Sequence, residues 1–301
     1  MNCAIIGTSK ISYIHLTFLI KLNFKKIFIL SRTKNKADKF IEKYNLKGNK
    51  KIIPSKFSST NFSKIDLIDI CVKTEFHQKY LDILKKSKKT IFIEKPIVSL
   101  KLLKKKYDTY LRNLFKTNNK IITCYPMIFY AKSFLKKIKI KSKIKSFKIY
   151  HYALGKNKKE NICIDLMPHA LSFIMEICKN NQIKFDTVNS KKIKVTNNSW
   201  ECDAIINDIN CKFFFKQSLK FKNTSFKFQI NDEVIDRETN IIDDKFCNFL
   251  VYKNRSIKIT NPMEDQIKQT VSNRNNLKWI KKNQNLTRTL MKINYDLLYG
   301  M

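Results

Sequence analysis

Along the first 125 residues two spacings of apolar positions alternate. Runs that are apolar throughout fall at 3–6, 26–30, 67–72, 90–93 and 121–125, and stretches with apolar residues at helical spacing fill 11–22, 36–44, 77–86 and 100–115. Strands that need no polar face, separated by helices, predict a parallel sheet covered on both sides: a doubly wound α/β domain. After Tyr125 the rhythm changes. A helical stretch at 131–137 leads into a long alternating strand at 144–154 and a helix over 166–178; strands follow at 191–195, 201–206, 211–215, 225–231 and 233–236, and helices close the chain at 263–271 and 286–298. Strands in succession predict a separate α+β domain carrying an open, mostly antiparallel sheet. The division is expected at 1–124 and 125–301.

Composition changes this picture little. The 301 residues carry 61 Lys and Arg against 24 Asp and Glu, a formal net charge of +37. That excess invites a nucleic-acid reading, because clustered cations release counterions from phosphate. Yet only Arg32, Arg112, Arg237, Arg255, Arg274 and Arg288 are arginines, and the lysines are scattered over every segment. A base-reading surface would use more of the bidentate side chain, so no specific nucleic-acid partner is expected. The eight cysteines form no Cys-x-x-Cys pair and no zinc-like spacing with histidine, which predicts buried thiols, no metal and a reducing, cytoplasmic setting. The apolar stretch 11–20 lacks the basic start and small-residue end of a secretory leader, and no uncharged run reaches the ~18 residues of a membrane span, so no membrane partner is expected.

Four local patterns carry chemistry. The first strand runs into Gly7-Thr8-Ser9-Lys10-Ile11-Ser12 and a helix, the position of a dinucleotide-binding turn. Only the first glycine of that fingerprint is kept; Ser9 and Ser12 replace the others, trading room for hydroxyl donors. Ser31-Arg32-Thr33 ends the second strand, where an acid would hold a free ribose 2′-hydroxyl and an arginine suits a 2′-phosphate, favouring NADP with NAD as the alternative. Thr90 to Pro96 reads as a strand ending in Glu94-Lys95-Pro96 at the ligand-collecting edge of the sheet. A lysine there can donate to a substrate oxygen, although in so lysine-rich a chain position alone favours a structural role. Asp165 and His169 stand four apart and share a helix face, able to anchor a hydroxyl and exchange its proton. Alternatively, Asp165 caps the helix, Pro168 sits in its first turn, and His169 is packing.

Taken in order, the glycine turn, Asp69 to His77, Glu94-Lys95-Pro96, the stretch 162–177 and Asn261-Pro262-Met263 before a helix resemble the Gfo/Idh/MocA family of NAD(P)-dependent oxidoreductases. The resemblance implies a Rossmann domain and a second domain that contacts a small-molecule substrate and pairs subunits into a dimer or tetramer. It implies that Lys95 sits by the nicotinamide and the reacting carbon, that His169 gives or takes the proton, and that Asp165 binds substrate hydroxyls. Gly7, Ser9, Lys10 and Ile11 would border the pyrophosphate, Arg32 the adenosine ribose, and Val72, His77 and Glu94 the far end of the cofactor. The implied reaction is hydride transfer at a hydroxyl or carbonyl carbon of a sugar, cyclitol or nucleotide-sugar. Imine or tetrapyrrole reduction and a cofactor-binding protein without turnover remain alternatives. Lys73 departs from the family's usual proline, Tyr125 to Phe129 lacks its usual Asn and Arg, and Leu166, Met167 and Pro168 replace small residues.

Overall fold

The computed structural model describes residues 1–116, 119–140, 142–221, 224–242 and 245–300, without the side chains of 240–242, 245 and 246. The described chain divides into two compact units, 1–124 with 263–288, and 125–262 with 289–300.

The first unit is a six-stranded parallel sheet: β1 (Asn2–Ile6), β2 (Lys26–Ser31), β3 (Ile52–Lys56), β4 (Leu67–Ile70), β5 (Thr90–Ile93) and β6 (Lys120–Thr123), in the order β3-β2-β1-β4-β5-β6. Every residue of β4 and β5 is buried, as the unbroken apolar runs require of strands covered on both faces. Helices α1 (Lys10–Leu19), α2 (Lys34–Lys43), α3 (His77–Leu84), α4 (Leu100–Leu103) and α5 (Tyr107–Lys116) lie in the crossovers. The β3 strand is absent from the sequence reading because Pro54 interrupts it; as an edge strand it tolerates the lost donor.

The second unit opens with α6 (Pro126–Lys137), β7 (Ser146–Leu154) and α7 (Glu160–Asn180), followed by seven strands: β8 (Val188–Val195), β9 (Ser199–Ile206), β10 (Ile209–Ser218), β11 (Ser225–Ile230), β12 (Glu233–Ile242), β13 (Lys245–Tyr252) and β14 (Arg255–Ile259). They form one sheet, β14-β13-β12-β11-β7-β10-β9-β8, antiparallel except for the parallel β7–β10 pair. Burial alternates along β7 and β10, so one face is packed and the other open. An aromatic cluster of Tyr130, Phe134, Phe173, Phe226 and Phe228 fills the packed side. The 21-residue α7 is long and apolar enough to cross a membrane, but 67% of its most apolar window is buried in the fold, as in a core helix.

Two helices complete the chain, α8 (Pro262–Asn273) and α9 (Leu277–Tyr299). Residues 263–288 return to the first unit, unlike a division with everything after 124 in the second domain. The reason is local: Ile267 and Ile280 enter the first core, and polar side chains satisfy the β6 backbone. Asn283 accepts from the Thr123 amide at 2.8 Å and donates to its carbonyl at 3.1 Å, while Gln266 donates to the same carbonyl at 3.1 Å. Replacing Asn283 by Ala strands a buried donor and weakens an acceptor, so we expect a loss of about 2–4 kcal/mol in urea unfolding; a loss below ~0.5 kcal/mol would contradict this account.

Candidate cofactor and active-site residues

In the first unit the backbone ladder continues one residue beyond β4, β5 and β6, with Cys71 donating to Ile6 at 2.9 Å, Glu94 to Ile70 at 3.1 Å and Cys124 to Ile93 at 2.8 Å. The sheet order reverses between β1 and β4, and ligands of such sheets collect outside the carboxyl ends at that reversal. Gly7 closes β1 there with φ +128°, and a Cβ would stand 2.6 Å from the Cys71 carbonyl oxygen, so only glycine makes this turn.

Ser9 then caps α1. Its oxygen accepts from the Ser12 amide at 3.4 Å, and the Ser12 hydroxyl accepts from the Ser9 amide at 3.2 Å. The hydroxyls expected to be ligand donors turn inward instead, toward the Cys71 carbonyl at 3.2 and 3.4 Å. This correction has a simple cause: two vacated glycine positions are filled by side chains that bond the nearest buried acceptor. The amides of Lys10 and Ile11, in the first turn, have no intrahelical carbonyl to reach, and they present the positive helix end that a pyrophosphate needs. The tight turn and this helix end fit a dinucleotide. Arg32 stands exposed just beyond β2, beside Thr33, which caps α2.

Behind this edge lies a buried set of charges. His15 of α1 donates through Nδ1 to Asp69 at 2.8 Å and through Nε2 to Glu94 at 2.9 Å. His15 and Asp69 are 0% exposed and Glu94 is 9% exposed. Burial opposes the charge on His15, but the charge and hydrogen bond of Asp69 outweigh it and raise its pKa well above the ordinary imidazole value. Burial likewise opposes ionisation of Glu94, yet the His15 hydrogen bond and charge, helped by Lys95, leave its pKa lowered. Burial, then Asp69 for Cys71 and Glu94 for Cys124, hold both neighbouring thiols protonated. By residue type, His15 with Asp69 and Cys71, or with Glu94 and Cys124, could hold a cation. The 2.8 and 2.9 Å separations are hydrogen-bond lengths, shorter than the roughly 3.3 Å between two ligands of a tetrahedral ion.

Lys95 is half-buried directly after Glu94. His77, expected at the cofactor, is fully buried, its ring between the carbonyls of Pro96 at 2.9 Å and Val72 at 3.0 Å. Burial keeps its pKa below the ordinary range, so the neutral ring donates to only one of them at a time. Its place is thus to brace the backbone at Val72 and Pro96.

In the second unit, Asp165 and His169 are both half-buried on α7, while Ile162, Cys163, Leu166, Met167 and Ala170 around them are buried. The helix begins at Glu160, so Asp165 is not its cap, and Pro168 lies inside it, removing the bond to the Ile164 carbonyl. Asp165 Oδ2 accepts from Gln217 at 2.7 Å and from Asn157 at 3.2 Å, and the Asn157 amide donates to Gln217 at 3.1 Å. A Cβ on Gly155 would lie 2.4 Å from the Gln217 amide oxygen, so the glycine makes room for that side chain. The His169 ring meets His151 of β7 edge-on at 5.4 Å. Gln217, Asn157, Gly155 and His151 were not among the expected site residues; Gln217, the chief partner of Asp165, lies 52 positions away in the chain.

Residues 1–112 match the family model described as "Oxidoreductase family, NAD-binding Rossmann fold". Comparison with curated proteins gives no match. The fold of the chain is shared with solved structures of low identity. KijD10, a 3-ketoreductase from Actinomadura kijaniata solved with NADP, superposes with TM-score 0.73 at 10% identity, covering 100% of this chain and 97% of its own. The UDP-N-acetylglucosamine 3-dehydrogenase GnnA from Acidithiobacillus ferrooxidans gives 0.68 at 11% identity, covering 100% and 97%. The biliverdin reductase of Synechocystis sp. PCC 6803, solved with biliverdin and NADP+, gives 0.60 at 9% identity, covering 97% of each chain.

The buried charges make stability depend on pH with a definite sign. Because the folded-state pKa of His15 is raised, its contribution is complete below the unfolded value near 6.5 and falls as pH climbs from there toward the folded value, by up to about 1.4 kcal/mol per pH unit. Glu94, with its pKa lowered, contributes above about 4.5 and loses that contribution in acid. In urea unfolding between pH 5 and 9, the stability gap between wild type and His15→Gln is expected to narrow above pH ~6.5; a gap that stays constant would refute a protonated ring.

Proposed function

We propose, for a chain whose residues 1–112 form the NAD-binding Rossmann domain of the Gfo/Idh/MocA oxidoreductase family, that this NAD(P)-dependent oxidoreductase acts at a hydroxyl or carbonyl carbon of a sugar, cyclitol or nucleotide-sugar. When bound, the cofactor supplies or accepts the hydride. The observation that carries the reading is Lys95, a half-buried cation next to a charge-clasped Glu94, at the sheet edge that also holds the Gly7 turn and the α1 N-terminus.

Gly7, Lys10 and Ile11 border the pyrophosphate through backbone, with Ser9 shaping the turn. Arg32 meets the adenosine ribose, and with no acid beside it a 2′-phosphate is the better partner, so NADP is favoured over NAD. Val72, His77 and Glu94 shape the far end of the cofactor site. Lys95 donates to the oxygen on the reacting carbon. Asp165, fixed by Gln217 and Asn157, binds a substrate hydroxyl, and His169 exchanges the proton. A carboxylate and an imidazole one turn apart suit a polyhydroxylated substrate better than a tetrapyrrole, although a biliverdin reductase shares the fold. Eight free thiols, seven of them buried, suit a reducing, cytoplasmic setting.

A second reading has its own observation: the inward Ser9 and Ser12 hydroxyls subtract donors from the cofactor turn, as in a protein that binds without turnover. One experiment separates the two. Thermal shift with NADPH and NADH, for wild type and Arg32→Asp, reads binding and preference; turnover is followed at 340 nm on free hexoses, inositols and UDP- and dTDP-hexoses. Lys95→Ala and His169→Ala are each expected to lower turnover by about 10² or more while the NADPH-induced shift persists. Wild-type rates in both variants would overturn the assignment, and binding without turnover of any member of the panel would favour the second reading.

We also propose that the open sheet face pairs two copies of the chain. Tyr152, Leu154, Ile205 and Val234 are exposed there, and Tyr150 stacks on Phe214 at 4.7 Å. Light scattering is expected to give a dimer or tetramer that Tyr152→Glu weakens; a wild-type monomer at micromolar concentration would sink the idea.

A further inference from the structure

The chemistry proposed above leaves His15 and Asp69 without a task, yet they form the most heavily charged buried cluster among the described residues of the first unit. The imidazole joins three elements. Its Nδ1 is 2.8 Å from Asp69 on β4, its Nε2 is 2.9 Å from Glu94 beyond β5, and its own backbone belongs to α1. Cys71 Sγ lies 3.3 Å from Nδ1 and 3.4 Å from Asp69 Oδ1, and the Phe92 ring stacks on the imidazole at 5.6 Å. A ring bonded at both nitrogens and stacked on one face has a single orientation.

A cluster like this is a poor way to gain stability. Removing two carboxylates and an imidazolium from water costs several kcal/mol per ion, and apolar residues of the same volume often serve stability equally well or better. What the charges provide is direction, because each bond fixes an angle that packing would leave loose. The direction matters at Glu94, since the next residue is Lys95. Beyond it the chain is held again, by the His77 ring on the Pro96 carbonyl.

We propose that His15 is a positioning residue. By gripping the Glu94 carboxylate, with its own ring anchored on Asp69, it fixes the exit of Glu94-Lys95-Pro96 from the sheet and thereby the place where Lys95 presents its amine. The inference rests on the reading of Lys95 as the group that works at the reacting carbon.

A double-mutant cycle tests it. His15→Gln keeps a donor and an acceptor but cannot donate to two carboxylates on opposite sides. With NADPH and the substrate turned over in the panel, His15→Gln should lower kcat roughly tenfold or more while KM for NADPH stays within about twofold. In a Lys95→Ala background the same substitution should change the residual rate by less than about twofold. Equal losses in both backgrounds, or an unchanged kcat in the wild-type background, overturn the proposal. Asp69→Asn, which keeps the ring and the Glu94 bond, is expected to give the same pattern in weaker form and serves if His15→Gln does not fold. A readout without substrate keeps the two failures apart. Competitive acylation of Lys95 by acetic anhydride is read by peptide mass spectrometry against the exposed Lys47 and Lys184. If no member of the panel is turned over, the reading of the function fails, but a change of roughly threefold or more in relative Lys95 reactivity in His15→Gln still supports the positioning role. No change in reactivity overturns it.

Discussion

A protonated ring shut away from water between two carboxylates is the constraint on which the first unit depends. His15 can keep its charge only while Asp69 and Glu94 both stay in reach, so α1, β4 and the end of β5 must hold their mutual register. The three elements bound by that requirement are those that bring the Gly7 turn, the Cys71 carbonyl and Lys95 to the carboxyl edge of the sheet. Gly7 enforces the same closeness from the other side, since its bare Cα approaches Cys71 where no side chain would fit. Charge and steric exclusion thus specify one arrangement at one edge.

The second unit solves a similar problem with neutral partners. Asp165 is held by the amides of Gln217 and Asn157, one from the end of β10 and one from the segment following β7, and Gly155 leaves the space that Gln217 occupies. In each unit a candidate functional side chain is backed by a polar group from a different element, which fixes its rotamer without contributing to the reaction. Three of the four histidines stand behind a neighbour: His15 in the clasp, His77 on two carbonyls, and His151 edge-on against His169.

Legibility in the sequence followed the range of the interactions. Strands buried on both faces write their position directly into unbroken apolar runs, which is why β1, β4 and β5 could be located. The β3 strand is masked by Pro54, and the start of α9 by the polar run Lys281 to Asn285, whose Asn283 and Gln284 serve the β6 backbone rather than solvent. Gly7, Lys95, Asp165 and His169 stand in short motifs and could be named as candidates. Their supports could not, because a bond between residues 15 and 94, or 165 and 217, leaves no periodicity. One signal was available. An aspartate inside the otherwise apolar strand Leu67–Ile70 and a histidine inside an apolar helix each imply a buried partner, and each was the partner of the other.

The return of residues 263–288 to the first unit bears on how the protein is made. Translation delivers β1 to β6 first, but the side chains that close the β6 backbone and complete the core around Ile267 and Ile280 leave the ribosome only after β7 to β14. The first unit is therefore begun before the second and completed only after the second unit's sheet, and in the interval it exposes an apolar flank open to chaperones. A stop falling between β14 and α8 would leave the first unit without the side chains that complete its core.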